Sequence, residues 1–262
     1  MDAIKLRLVS KDGKTLREGR KSGGGVSIVY DKAYQDGDCI IMEHQGQPSF
    51  FAIRFEEALG EALVYCENEV SYPIPLRDMR QCFPPMAFNG EMHVISVRSE
   101  NPTGRRNLAL NPYDNHDNKG LFPHASANVE TRNEMIFAAR NAIDGIFENH
   151  GHGSYPYCSW GINRDPKAAF TLDFGRKIIV SELRLTLRTD FPHDSYWTQA
   201  RVEFDDGARE ILDLSDSDLP QCFTTKERVT RTLVLKNLIK AKDESPFPAL
   251  TQIEVWGEEF SG

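Results

Sequence analysis

Short stretches in which apolar and polar residues alternate recur along the chain. Ile4-Lys5-Leu6-Arg7-Leu8 is one. Leu183-Arg184-Leu185-Thr186-Leu187-Arg188 is the cleanest, with three leucines on one side. A period of two sends successive side chains to opposite faces of an extended backbone, so each stretch reads as a strand with one buried face. Residues 26–30, 39–42, 50–55, 62–66 and 93–98 are further candidates, followed by 201–204, 209–214, 232–235 and 252–256. Turn-forming residues stand between them: Lys11-Asp12-Gly13, Ser22-Gly23-Gly24-Gly25, Gln35-Asp36-Gly37-Asp38 and Pro84-Pro85. Asp205-Asp206-Gly207, between two strand candidates, marks a hairpin. This spacing predicts an all-β chain of sandwich type. Residues 134–141 suggest one or two helical turns, and residues 112–133 carry little strand signal.

A chain of 262 residues exceeds the common size of one domain. Ser99-Glu100-Asn101-Pro102-Thr103-Gly104-Arg105-Arg106 is polar, holds Pro and Gly, and lacks a large apolar side chain, which makes it the expected linker. It separates a first β-sandwich, residues 1–100, of no recognisable family, from a second, residues 105–262. No fixed-period repeat is visible.

The net charge is −8, a poor match to a polyanion, so nucleic acid is not an expected partner. No apolar run approaches the roughly 20 residues of a membrane-spanning helix. The first residues, Met1-Asp2-Ala3-Ile4-Lys5-Leu6-Arg7, lack a basic patch followed by an apolar stretch, so a cytoplasmic protein is expected, or a secreted or cell-surface one whose signal peptide has been removed. Cys39, Cys66, Cys82, Cys158 and Cys222 are scattered, form no C-x-x-C pair, and read as reduced thiols.

The second half carries Asn107-Leu108-Ala109-Leu110-Asn111, then Ala139-Arg140-Asn141-Ala142-Ile143-Asp144-Gly145, Trp160, Leu172-Asp173-Phe174-Gly175, and finally Ile253-Glu254-Val255-Trp256-Gly257. In this order and spacing these pieces resemble the galactose-binding-like β-sandwich (jelly-roll-like) of discoidin, or factor V/VIII type C, domains and of family 32 carbohydrate-binding modules. The resemblance covers roughly the last 160 residues. It implies a mostly non-catalytic domain that presents a carbohydrate ligand on loops at one end of a rigid sandwich. In calcium-binding members a loop of the Asn141–Gly145 type supplies carbonyls and an Asp, and an acid on the final strand closes the cage. Asp144 and Glu254 match those positions, and oxygen donors suit a structural Ca²⁺. The alternative is that Asp144 braces its own loop by hydrogen bonds, with Glu254 solvated or paired to an arginine. Ile146-Phe147-Glu148-Asn149 lacks the Thr that often completes the family's loop.

Two further stretches are rich in binding chemistry. The first runs from His150 to Trp160 and includes His152 and Tyr155. Aromatic faces match the C–H face of a sugar ring, and polar edges match its hydroxyls. Trp160 is expected in the core, and the His-x-His pair is alternatively a transition-metal ligand pair. The second, Arg188-Thr189-Asp190-Phe191-Pro192-His193-Asp194-Ser195-Tyr196-Trp197, follows the best strand and is expected as a loop. Arg188, Asp190, His193 and Asp194 would meet hydroxyls, with Tyr155 or Trp197 supplying a ring face. An internal Arg188–Asp190 or Arg188–Asp194 pair that only stiffens the loop is the competing reading.

Non-catalytic carbohydrate recognition is the expected function. A carbohydrate-active hydrolase or lyase using the His and Asp loops is the alternative, and a protein-interaction module is another. Membrane attachment would need apolar loop tips, for which Phe147 and Phe191 are the visible candidates, with thin basic support. No G-x-S-x-G elbow, phosphate-binding glycine loop or H-E-x-x-H helix is present. The sequence leaves the sugar and the oligomeric state open.

Overall fold

The computed structural model describes residues 4–67, 69–118, 120–190 and 195–260. The chain divides into two compact units: Met1–Pro102 with Asp117–Phe122, and Thr103–His116 with Pro123–Gly262.

The first unit contains β1 (Lys5–Val9), β2 (Thr15–Glu18), β3 (Arg20–Ser22), β4 (Gly25–Tyr30), β5 (Cys39–Glu43), β6 (Ser49–Arg54), β7 (Ala62–Cys66), β8 (Glu69–Pro73) and β9 (His93–Glu100). The chain then forms β10 (Arg106–Asn107) in the second unit and returns to the first as β11 (Leu121–Phe122). Two antiparallel sheets result, with orders β2-β1-β5-β8 and β11-β7-β6-β9-β4-β3. Alternation places Leu6, Leu8, Ile40, Met42, Val70 and Tyr72 inside from one sheet, and Ile28, Phe51, Ile53, Val64, Ile95 and Val97 from the other. The short strands β2, β3 and β8 have no counterpart among the sequence candidates. β2 and β3 are exposed and polar, so they lack the alternation that marks a buried face. The expected linker begins late, because β9 extends through Ser99 and Glu100.

The second unit adds β12 (His124–Ala127), β13 (Trp160–Gly161), β14 (Ala169–Arg188), β15 (Trp197–Phe204), β16 (Arg209–Asp213), β17 (Gln221–Lys240) and β18 (Ala249–Glu259). The main path is β10-β18-β14-β17-β15-β16, with β12 on β14 and β13 on β18. β14 and β17 are each 20 residues long. Their pairing is interrupted between Asp173 and Ile178 and again between Val180 and Glu182. Such bulges bend a strand, which lets the two halves of β14 serve different parts of the sandwich. The first half pairs β12, the second pairs β18, and β17 follows both. The sequence showed only fragments of β14 and β17, because bulges break the period-two pattern and a half-exposed run such as Lys226-Glu227-Arg228 hides it. The Asp205-Asp206-Gly207 turn does join β15 to β16, with Gly207 at φ +82. The helical signal at 134–141 is realised as short 3₁₀ turns, Met135–Phe137 and Ala139–Ile143.

Leu183, Leu185 and Leu187 are fully buried in one core with Trp160, Phe170, Phe174, Trp197, Leu235 and Val255. Each such side chain contributes about 1.5–3 kcal/mol of transfer free energy. Gly257 explains the end of the Ile253–Gly257 motif: a Cβ there would lie 1.9 Å from Ile179 O. Thr186 and Arg188 face away from the leucines and are nevertheless buried. Alternation distinguishes the faces of a strand but not what covers the outer one. Here loop residues cover it: Asn149 Nδ2 donates to Leu187 O and to Thr251 Oγ1, both at 3.2 Å.

Candidate functional site

The outer face at the end of β14 is roofed by residues from Asn149 to Ser159. Arg188 holds this roof in place. Its guanidinium donates to the carbonyls of Gly151 and Tyr157, reaches Ser159 Oγ at 3.5 Å, and meets Asp190 Oδ1 at 3.4 Å. The side chain is 0% exposed. Burial lowers its ionisation below the usual arginine range, opposed by Asp190. Arg188 is therefore not a hydroxyl partner at a surface, because its donors are spent on main-chain carbonyls. It ties residues 151–159 to the end of β14. Trp197 is also corrected: it opens β15 and lies in the core, its ring 6.2 Å from Trp160, so it offers no exposed face. Trp160 is a core residue that donates from Nε1 to Val129 O at 3.0 Å. His150 and His152 are exposed, Tyr155 is half-buried, and Asp190 is 14% exposed in its side chain. Phe191, His193 and Asp194 lie outside the described residues.

The Asn141–Gly145 loop is closed by Gln252 of β18. Gln252 Nε2 donates to Asn141 O at 2.7 Å and to Asp144 Oδ1 at 2.8 Å, while its Oε1 accepts from Gly145 N at 3.0 Å. Ile146 N also donates to Asp144 Oδ1, and the buried Arg140 guanidinium lies 3.7 Å from Asp144 Oδ2. Glu254, two residues along β18, accepts from Trp256 Nε1 at 3.2 Å and sits opposite Arg184 of β14. The expected Ca²⁺ pair thus has separate partners. An N–H group and a guanidinium face the oxygens that would hold the ion, so these residues do not fit a calcium cage. Burial pushes the Asp144 carboxyl up to about 6, with Arg140 opposing.

Beside the roof is a cleft of about 260 Å³, lined by Arg132, Phe137, His152, Asn163, Arg164 and Phe247 among others. Phe247 lies between Pro246 and Pro248, is 38% exposed, and carries the Arg164 guanidinium over its ring at 4.4 Å. Arg132 lies over Phe137 at 5.2 Å and grips Glu134 with two hydrogen bonds, at 2.6 and 2.7 Å. Arg132, Asn133, Asn163 and Arg164 all have left-handed backbones, at φ 54, 54, 48 and 61. Non-glycine residues pay for this conformation, and such strain clusters at functional sites. Thr131 holds both segments, since its Oγ1 accepts from Asn163 N at 2.9 Å and its carbonyl accepts from Glu134 N at 3.2 Å. No Asp or Glu is among the described residues that line the cleft.

Of the residues expected from sequence, His152 reaches this cleft. Arg132, Asn163, Arg164 and Phe247 were missed. Their signal was faint: Asn163-Arg164-Asp165-Pro166 is a turn sequence, and Phe247 is an aromatic held between two prolines.

No family model matches the chain, and no curated protein matches it. Among solved structures it is similar to the family 32 carbohydrate-binding module of C. perfringens NanJ in complex with galactose, at 18% identity and TM-score 0.39, over 50% of this chain and 91% of that one. It is similar to a Streptococcus pneumoniae fucose binding module, at 15% identity and TM-score 0.43, over 61% of this chain and 100% of that one. Chitosan-binding module 1 from the chitosanase/glucanase of Paenibacillus sp. IK-5 matches at 17% identity and TM-score 0.40, over 58% and 99%. The fold itself rests on the strand order and register given above.

Proposed function

We propose that the second unit recognises a carbohydrate without turning it over, and that the cleft bordered by His152, Arg164 and Phe247 holds the sugar. The observation that carries this reading is the pairing of a partly exposed aromatic ring with fixed hydrogen-bond donors in one concave site. A sugar presents an apolar face and a rim of hydroxyls, and this cleft offers a counterpart to each. The donors are pre-organised: Thr131 holds the backbone of Asn163, and Arg164 rests on the Phe247 ring, which lowers the entropy lost on binding.

A glycan array with the full chain would identify the ligand. Calorimetry on that glycan should then show about tenfold weaker binding for Arg164→Ala and a comparable loss for Phe247→Ala, with unchanged melting temperatures. Affinity unaltered in both variants would place the site elsewhere. Turnover of the glycan would replace recognition with catalysis.

A further inference from the structure

In the first unit, Glu56, Glu57 and His93 bring two carboxylates and one imidazole together, with their ligand atoms all within 4.8 Å of one another. Glu56 and Glu57 begin the short turn after β6, and His93 is the first residue of β9. β6 and β9 are paired neighbours, so the sheet makes this cluster from residues far apart in sequence. Main-chain contacts orient each group. Glu56 accepts from Ala58 N at 3.0 Å and from Phe88 N at 2.8 Å. Glu57 Oε1 accepts from Val94 N at 2.7 Å, and His93 Nε2 lies 3.2 Å from Gly90 O.

Tyr34 is an independent pointer. It is 7% exposed, its ring stacks on His93 at 4.0 Å, and its hydroxyl has no hydrogen-bond partner among the described residues. Buried hydroxyls are normally satisfied, so one left over on a ring stacked against His93 asks for an occupant.

We propose that Glu56, Glu57, His93 and the Tyr34 hydroxyl form a site for one divalent transition-metal ion. Imidazole with carboxylates is a donor set for Zn²⁺, whereas Ca²⁺ and Mg²⁺ prefer oxygen alone. Glu57 is exposed and gives the ion a way in, while Glu56 and His93 are buried. The bound ion would tie the turn after β6 to the start of β9 and stabilise the first unit.

The test is titration of Zn²⁺ into the metal-free full chain, followed by calorimetry and melting, with Mg²⁺ as the hard-cation control. One zinc per chain and a raised melting temperature are expected. Glu57→Gln keeps the oxygen that accepts from Val94 N, so it should fold normally. It should lose at least the roughly tenfold in zinc affinity that even an outer partner of a metal site costs. Co²⁺ in place of zinc should give a visible spectrum that changes in Tyr34→Phe. Absence of zinc binding by the full chain, or undiminished affinity in Glu57→Gln, overturns the proposal.

Discussion

The side-chain amide of Gln252 lies 2.8 Å from the Asp144 carboxylate and 2.7 Å from the Asn141 carbonyl. A neutral N–H group from the last strand thereby closes a loop whose oxygens would otherwise suit a cation. Calcium and a chelator should therefore give the same melting temperature for the unaltered chain. Gln252→Glu removes those donors and adds a carboxylate, so its melting temperature should fall in chelator and recover with calcium. A calcium-dependent shift in the unaltered protein would show that the amide gives way to the ion.

Asp144 makes stability depend on pH. Its carboxyl is raised from the ordinary 3.8 to about 6, chiefly by burial. A raised carboxyl favours the folded state only while protonated. The contribution is complete below about pH 4 and is lost as pH climbs through about 6, a difference of about 3 kcal/mol. Urea unfolding of the unaltered chain and of Asp144→Asn, compared from pH 3.5 to 7, isolates this group. Parallel stability curves would contradict the shift.

Arg188→Ala should cost folding, not binding alone. It strips the carbonyls of Gly151 and Tyr157 of their donor and leaves the Asp190 carboxylate without its cation. Breaking a buried pair of this kind costs about 3–5 kcal/mol. Equilibrium denaturation measures the loss. Normal stability with abolished glycan binding would return Arg188 to the ligand site.

Gly257→Ala tests the close passage of β18 beside β14. The added methyl would meet the Ile179 carbonyl at 1.9 Å, a clash with backbone that side-chain rotation cannot relieve. A loss of about 4 kcal/mol or more is expected, seen as insoluble expression or a sharply lowered urea midpoint. A soluble variant of normal stability would mean that the two strands separate easily there.

Much of the fold was legible because alternation is a local property. The leucines of β14 and the hairpin at Asp205-Asp206-Gly207 needed only their neighbours in sequence to be read. The loop containing Asp144 was legible too, although its partner was not. Glu254 and Gln252 are two residues apart on one strand, and choosing between them required the register with β14. The same limit applied to Arg188 and Trp197, whose chemistry suggested a surface site and whose surroundings put them inside.

The sequence by itself determined the all-β class, most strand positions and the apolar face of the strands that alternate, since a period of two depends on backbone geometry alone. Only the tertiary structure decided which polar residues meet. The cleft at Arg164 and Phe247 and the cluster at Glu56, Glu57 and His93 each join segments distant in sequence. Pairing of β13 with β18 draws together segments of the first, and pairing of β6 with β9 those of the second. Those long-range choices leave no mark in the local pattern of residues.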